Sequence, residues 1–214
     1  MEIIEKFVGN LKNNPSVKSV ILFGSYARGN QSPDSDIDLI VVCDETKRGV
    51  EKFESYTFEI VYVKEEDAID FYKKNKDNAV RTWAVAKVLY DKDGSAERLR
   101  HFVEKIKKEG KVAFSENVLE HLRFDAEDTF RAIQKASETD KTSAMYLLEG
   151  RVVNLANVFF DARGLWKPAP KQLLRVLRES NSELGKLYDD FYVADTFDQK
   201  IAIAKKMVSI TLMV

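Results

Sequence analysis

The chain has 214 residues, of which 44% are hydrophobic and 32% are charged, an ordinary composition for a folded globular protein. Its formal net charge of −1 gives no electrostatic footprint for nonspecific nucleic-acid binding. No apolar run approaches the roughly 20 residues that span a bilayer, and the charged N-terminal stretch is unlike a secretory signal. Cys43 is the only cysteine, so no internal disulfide can form. These features predict a soluble cytoplasmic protein with no membrane partner.

The first part of the chain alternates between helical and extended patterns. The predicted elements are a helix over residues 2–13, strands over 17–23, 36–43, 57–63 and 88–90, and a broken helix over 65–83. A polar turn is expected at residues 44–49, and the short connections allow the second and third strands to pair antiparallel. Turn chemistry explains Asp91 and Asp93, which follow the last strand, better than a second metal motif does.

From Ser95 onward the sequence predicts helices almost without interruption. The predicted helices cover residues 95–109, 115–138, 141–162, 170–180, 183–193 and 196–213. Ser115 can cap the second of these helices, and the third is apolar around most of its circumference. The fold class is therefore predicted as α+β, with a small mixed-sheet domain over residues 1–94 and an all-α helical bundle over residues 95–214.

The most informative stretch runs from the end of the first predicted strand into the second. The first strand ends in Gly24-Ser25, and the second opens with Asp36-Ile37-Asp38. Alternation along a strand places Asp36 and Asp38 on one face, although aspartate is depleted in strands and like charges repel there. A divalent cation would offset that repulsion, and Mg²⁺ is usually held by one or two carboxylates together with substrate phosphates. Backbone N–H groups at Gly24-Ser25 are suited to cradling those phosphates.

These residues resemble the signature of the nucleotidyltransferase superfamily typified by polymerase beta. The surrounding residues Arg28-Gly29 and Ser35-Asp36-Ile37-Asp38-Leu39 look most like its small members, the aminoglycoside nucleotidyltransferases and the minimal nucleotidyltransferases. The resemblance covers about the first 95 residues. It implies an enzyme that moves a nucleoside monophosphate from a nucleoside triphosphate, expected to be ATP, to a hydroxyl group. The resemblance does not identify the hydroxylated acceptor, which is either a small molecule or a protein.

The resemblance also assigns roles to individual residues. Asp36, Asp38 and Glu59 match the three acids that hold two Mg²⁺ ions in the family, and Glu59 lies in the predicted third strand. If Glu59 shares a face with the two aspartates, it completes this catalytic set. Gly24, Ser25 and Arg28 are expected to bind the triphosphate. Family members that build the site between two chains make a homodimer an expectation.

In the aminoglycoside enzymes the helical domain supplies an acidic general base and a cation four residues later. Glu127 and Arg131 have this spacing, which places both on one face of their helix, with Glu127 as the candidate base and Arg131 as a triphosphate ligand. The same spacing is also that of an ordinary surface ion pair. Asp128 and the pair Glu149 and Arg151 are rival candidates.

An alternative function belongs to a different class of protein. The minimal nucleotidyltransferases that are paired with helical toxins suggest an antitoxin-like protein, which would bind or nucleotidylate a protein partner. Those proteins are short because their helical domain is a separate chain, whereas here it is fused. The fusion favours the layout of the aminoglycoside enzymes. The neutral charge balance disfavours a nucleic-acid polymerase.

Overall fold

The computed structural model describes residues 2–214, which divide into two compact units, one ending at Glu109 and the other comprising Gly110–Val214. The strands of the first unit are β1 (Ser19–Phe23), β2 (Ile37–Val42), β3 (Lys47–Phe53), β4 (Tyr56–Val63) and β5 (Lys87–Asp91). Its helices are α1 (Glu2–Lys12), α2 (Gly24–Arg28), α3 (Glu65–Lys74), α4 (Lys76–Trp83) and α5 (Ser95–Glu109). The α+β class predicted from the sequence is confirmed.

These strands form one mixed sheet in the order β3-β4-β2-β1-β5. β1 pairs antiparallel with both β2 and β5, whereas β2 and β4 are parallel. The predicted antiparallel pairing of these last two strands is wrong. The expected turn at residues 44–49 instead leads into β3, which pairs antiparallel with β4 and reverses the chain before β4 begins. This extra reversal allows β4 to run alongside β2 in the same direction.

The two faces of the sheet have different roles. Phe58 and its neighbours on one face pack against α1, where the Phe7 and Phe58 rings stack with centroids 3.9 Å apart. The other face, on which Asp38 and Glu59 lie, is the carboxylate face. Alternation along the strands separates the two sets, so that Leu39 is buried on the α1 side while Asp38 is only partly buried.

The first unit ends after α5 rather than at residue 94, because α5 packs on β1, β5, α3 and α4. Asp91 anchors the start of this helix, since its carboxylate accepts hydrogen bonds from the Ser19 hydroxyl and from the backbone N–H of Glu97. The hydroxyls of Ser19 and Ser95 also contact each other, and both side chains are buried. Asp91 thus has a structural role in joining β5 to α5.

The second unit, all of whose residues the structure describes, contains five helices around a single apolar core. They are α6 (Glu116–Ser137), α7 (Lys141–Ala162), α8 (Leu173–Ser180), α9 (Ser182–Val193) and α10 (Phe197–Leu212), with a short 3₁₀ turn at Pro170–Gln172. Ser115 caps α6 through the Val118 N–H, as its sequence predicts. Among residues 2–214, no helix combines the length and apolarity needed to cross a membrane.

Two ion pairs and a tight glycine turn fix the start of the connection between α7 and α8. Lys111 and Lys167 both bind the Asp161 carboxylate, at 2.6 Å and 3.1 Å. Gly164 has a φ of +63°, and a Cβ there would lie 2.6 Å from the Lys111 carbonyl oxygen. The Lys111 segment therefore passes directly over this turn, and Lys167 takes part in fixing it.

Candidate active site

The end of β1 is packed directly against the aspartate of β2. Gly24 has a φ of +69°, and a Cβ built on it would lie 2.6 Å from the carboxyl carbon of Asp38. Glycine therefore meets two requirements here, because any side chain would strain the backbone and also displace the carboxylate. The sequence motif thus corresponds to one structural site in which Gly24 and Asp38 are in contact.

The register of the sheet brings the third acid beside the second. Asp38 and Glu59 are partners across the parallel pair β2 and β4, so their side chains project from the same face of neighbouring strands about 4.8 Å apart. Asp36 precedes the first residue of β2 and is exposed, in a groove of about 750 Å³ that Tyr56 and Thr57 of β4 also line. Asp38 and Glu59 are partly buried. The structure therefore places all three predicted acids at one end of β2 and β4.

The carboxylates of this site suit a hard divalent cation. Among residues 2–214, no group of three or more His, Cys, Asp or Glu side chains forms a ready-made metal site. Two adjacent carboxylates on one sheet face are nevertheless the donor set that Mg²⁺ uses when substrate phosphates supply further ligands. The side-chain oxygens of Asp38 and Glu59, with the glycine turn beside them, fit this ion.

The other predicted triphosphate ligands lie on the short helix α2. Ser25 is partly buried, and its carbonyl oxygen accepts the backbone N–H groups of Gly29 and Asn30, which closes the turn. Arg28 is exposed at the end of this helix. The polar loop expected after Ser25 therefore begins with one helical turn, and this turn places Arg28 one turn after Gly24.

Strand β3 adds cations that the sequence analysis missed. Arg48 is the register partner of Val61, and Lys52 is the partner of Thr57, so both lie on the carboxylate face. Both are exposed, and neither side chain has an ion pair among the described residues. No hydrophobic alternation marked this stretch as a strand, because β3 is an edge strand with mostly exposed, charged residues, as edge strands commonly are.

The helical unit has a groove of its own between α6 and α10. This groove, of about 610 Å³, is lined by Glu127 and Arg131 together with Arg123, Phe130 and Lys205. The Lys205 ammonium lies 5.7 Å from the centroid of the Phe130 ring. Glu127 and Arg131 are both exposed, and both border this groove, whose charged lining residues are mostly positive.

The surface ion pair that the spacing of Glu127 and Arg131 also allowed is not the one that forms. Arg131 instead binds Asp128, three residues before it, at 3.1 Å. Of the rivals, Glu149 is exposed, whereas Arg151 donates hydrogen bonds to the Asp125 carbonyl and the Thr129 hydroxyl. Arg151 therefore connects α7 to α6. Of the rival carboxylates, neither Asp128 nor Glu149 lines the groove, whereas Glu127 does.

Comparison with known proteins identifies the family. The profile of the family "Polymerase beta, Nucleotidyltransferase" matches residues 5–95, which lie within the first unit. A protein of Methanocaldococcus jannaschii named as a protein adenylyltransferase is 42% identical over 76 residues, which are 35% of this chain and 84% of that protein. The chain belongs to the polymerase-beta-like nucleotidyltransferase superfamily. A second Methanocaldococcus jannaschii protein named as a protein adenylyltransferase is 54% identical over 44 residues, 21% of this chain and 44% of its own length.

A solved structure resembles this nucleotidyltransferase over nearly its whole length. The nucleotidyltransferase-like protein from Exiguobacterium sibiricum 255-15 aligns with a TM-score of 0.55, covering 99% of this chain and 73% of its own. Its sequence identity is 13%, so this likeness concerns the fold. The curated relatives match about a third of the nucleotidyltransferase or less, which leaves the acceptor to be inferred separately.

Proposed function

We propose that this nucleotidyltransferase transfers AMP from ATP to a hydroxyl group of an acceptor protein, in a reaction that depends on Mg²⁺. The observation that carries the proposal is the contact of Gly24 with the Asp38 carboxylate, beside Glu59 on the next strand. The names of the Methanocaldococcus jannaschii relatives favour an adenylyl group and a protein acceptor. A small hydroxylated molecule is the second acceptor class, which the fused helical unit and its groove favour.

Each candidate site residue of the first unit has a defined role in this proposal. Asp36, Asp38 and Glu59 would hold the metal, and Mg²⁺ bound there supplies Lewis-acid stabilisation of the charge on the phosphates. The backbone N–H groups of Gly24 and Ser25 bind phosphate oxygens, because no side chain at Gly24 obstructs the approach.

The exposed cations of this unit serve the triphosphate, which is strongly negative. Arg48 and Lys52 of β3 lie on the carboxylate face, two residues to either side of the position opposite Glu59. Arg28 ends the helix that begins at Gly24. Guanidinium groups bind phosphate oxygens through two parallel hydrogen bonds, which position as well as neutralise the group.

Glu127 is the proposed general base of the helical unit. The acceptor oxygen attacks the α-phosphorus, and the bond from that phosphorus to the oxygen bridging to the β-phosphate breaks. Pyrophosphate leaves, and the hydroxyl proton passes to the Glu127 carboxylate. Arg131 contributes positive charge in the same groove.

The proposal is tested by a transfer assay with Mg²⁺ and each nucleoside triphosphate in turn. Cell proteins and then hydroxylated metabolites serve as acceptors, and mass spectrometry detects the added nucleotide. Asp36→Asn and Asp38→Asn should each lower turnover by about 100-fold or more, because the metal that stabilises the transition-state charge loses a ligand.

Asp70→Asn is the matched control, since Asp70 is exposed on α3 and pairs with Lys73 on the same helix. It should keep wild-type turnover. The metal assignment is falsified if either site variant, shown by circular dichroism to be folded, turns over like the wild type.

A further inference from the structure

A second concavity of the first unit adjoins the carboxylates. This pocket, of about 400 Å³, is lined by Phe23, Ile40 and Val61 from three neighbouring strands. Phe23 is the register partner of Asp38, and Ile40 and Val61 follow Asp38 and Glu59 by two residues on the same face. Residues two apart along a strand are separated by about 7 Å, so the pocket begins one side chain beyond the acids.

Two polar side chains of α4 line this pocket, whose surface is mostly apolar although Lys47, Arg48 and Asp67 also border it. Asn78 and Thr82 are four residues apart, hence on one face of the helix, and both are half-buried. Neither side chain makes a hydrogen bond within the part of the chain that the structure describes. Thr46, another polar residue of the pocket, differs from them because its hydroxyl binds Asp67. A polar side chain that is free to bond a ligand, set in a mostly apolar concavity, is a feature of ligand sites.

The pocket also has an aromatic wall. Phe71 of α3 borders it and is 46% exposed, far more than the core phenylalanines. Flat aromatic surfaces of this kind can stack against any of the nucleobases. The primary amide of Asn78 offers a donor and an acceptor side by side, the arrangement that pairs with adjacent groups on the edge of adenine.

We propose that this pocket holds the nucleobase of the triphosphate, with Asn78 reading its edge and Phe71 stacking on its ring. The inference rests on the proposed function and adds to it the site that selects the base. A base is covalently joined, through ribose, to the phosphate that binds at the carboxylates, so it must lie close to them. The pocket meets that distance requirement, and its volume falls in the range of small-molecule sites.

Calorimetry with Mg²⁺ tests the assignment with three ligands: ATP, GTP and inorganic tripolyphosphate, which has no base. Asn78→Ala should weaken ATP binding by about 3- to 10-fold, the value of one or two lost hydrogen bonds, and affect GTP less. Val61→Trp fills the pocket and should weaken both nucleotides by about tenfold or more. Tripolyphosphate affinity should stay within about twofold of the wild type in both variants, because its phosphates bind at the acids.

Asn10→Ala is the matched control, because Asn10 is exposed on α1, the helix that covers the other sheet face. It should leave all three affinities unchanged. Unaltered ATP affinity in folded Asn78→Ala overturns the base site. Equal weakening of ATP and GTP binding overturns it too, because the amide would then contact the ribose that both nucleotides share. If the wild type binds neither nucleotide nor tripolyphosphate, the proposed function itself fails, an outcome distinct from both.

Discussion

At the scale of single residues, Gly24 is the position with the strictest requirement. Its positive φ favours glycine, and its missing Cβ leaves room for the Asp38 carboxylate. The strain alone is worth about 1–2 kcal/mol for an L-residue, and the collision with Asp38 adds to it. The two effects can be separated, because other glycines of the chain have the strain without the collision.

We expect Gly24→Ala to lower the affinity for Mg²⁺ and ATP by about tenfold, because the new methyl group displaces the carboxylate and covers the phosphate-binding N–H groups. Calorimetry measures this change. Gly110→Ala is the control, since Gly110 has a φ of +77° but a Cβ added there would meet nothing within 4 Å. Equal affinities in the two variants would show that the contact with Asp38 is irrelevant to binding.

At the scale of secondary-structure elements, the two grooves of the chain belong to different helices and strands. The sheet presents three acids at one end of β2 and β4, and α6 presents one glutamate to the groove that it shares with α10. General-base catalysis needs a proton acceptor within hydrogen-bond reach of the acceptor hydroxyl. An acid on α6 can serve this purpose only if the acceptor occupies that groove.

Glu127→Gln should therefore reduce turnover by about 100- to 10,000-fold while leaving ATP affinity unchanged, because only proton transfer is affected. Steady-state assays and calorimetry give the two quantities. Glu120→Gln on the same helix is exposed and outside the groove, and it should behave like the wild type. Normal turnover in Glu127→Gln, together with loss of turnover in Glu59→Gln, would move the base to Glu59, Asp128 or Glu149.

At the scale of the whole molecule, the residues that form the two apolar cores differ from the proposed catalytic residues. Each unit has its own apolar core, one built on the sheet and α1 and the other among the five helices. The proposed metal ligands Asp36, Asp38 and Glu59 are exposed or only partly buried. Burial of apolar surface, at about 25 cal/mol per Å², is therefore what stabilises both units, and the metal site is not needed for it.

Chelation of divalent cations with EDTA should abolish transfer, and added Mg²⁺ should restore it. The melting temperature without nucleotide should change by less than about 2 °C on chelation, because at about 2–8 °C per kcal/mol a loss of stability below about 0.25 kcal/mol stays under that limit. Differential scanning calorimetry measures the shift. A collapse of either unit on chelation would mean that the metal is structural.

Much of the fold and the core of the candidate site could be predicted from local patterns. The Gly24-Ser25 and Asp36-Ile37-Asp38 segments identified the family, and capping residues such as Ser115 marked helix ends correctly. These features are readable because they depend on neighbours within a few residues. Alternation in a strand and spacing in a helix are set by the backbone geometry alone.

Only the tertiary structure decided which segments meet. The parallel pairing of Asp38 with Glu59 requires the reversal at β3, a strand whose exposed charged residues carry no hydrophobic pattern. The contact of Gly24 with Asp38 and the pocket beside Asn78 join residues from separate elements. Such contacts depend on long-range packing. That packing is determined by how many side chains fit together in the folded protein, and no local spacing in the sequence reveals it.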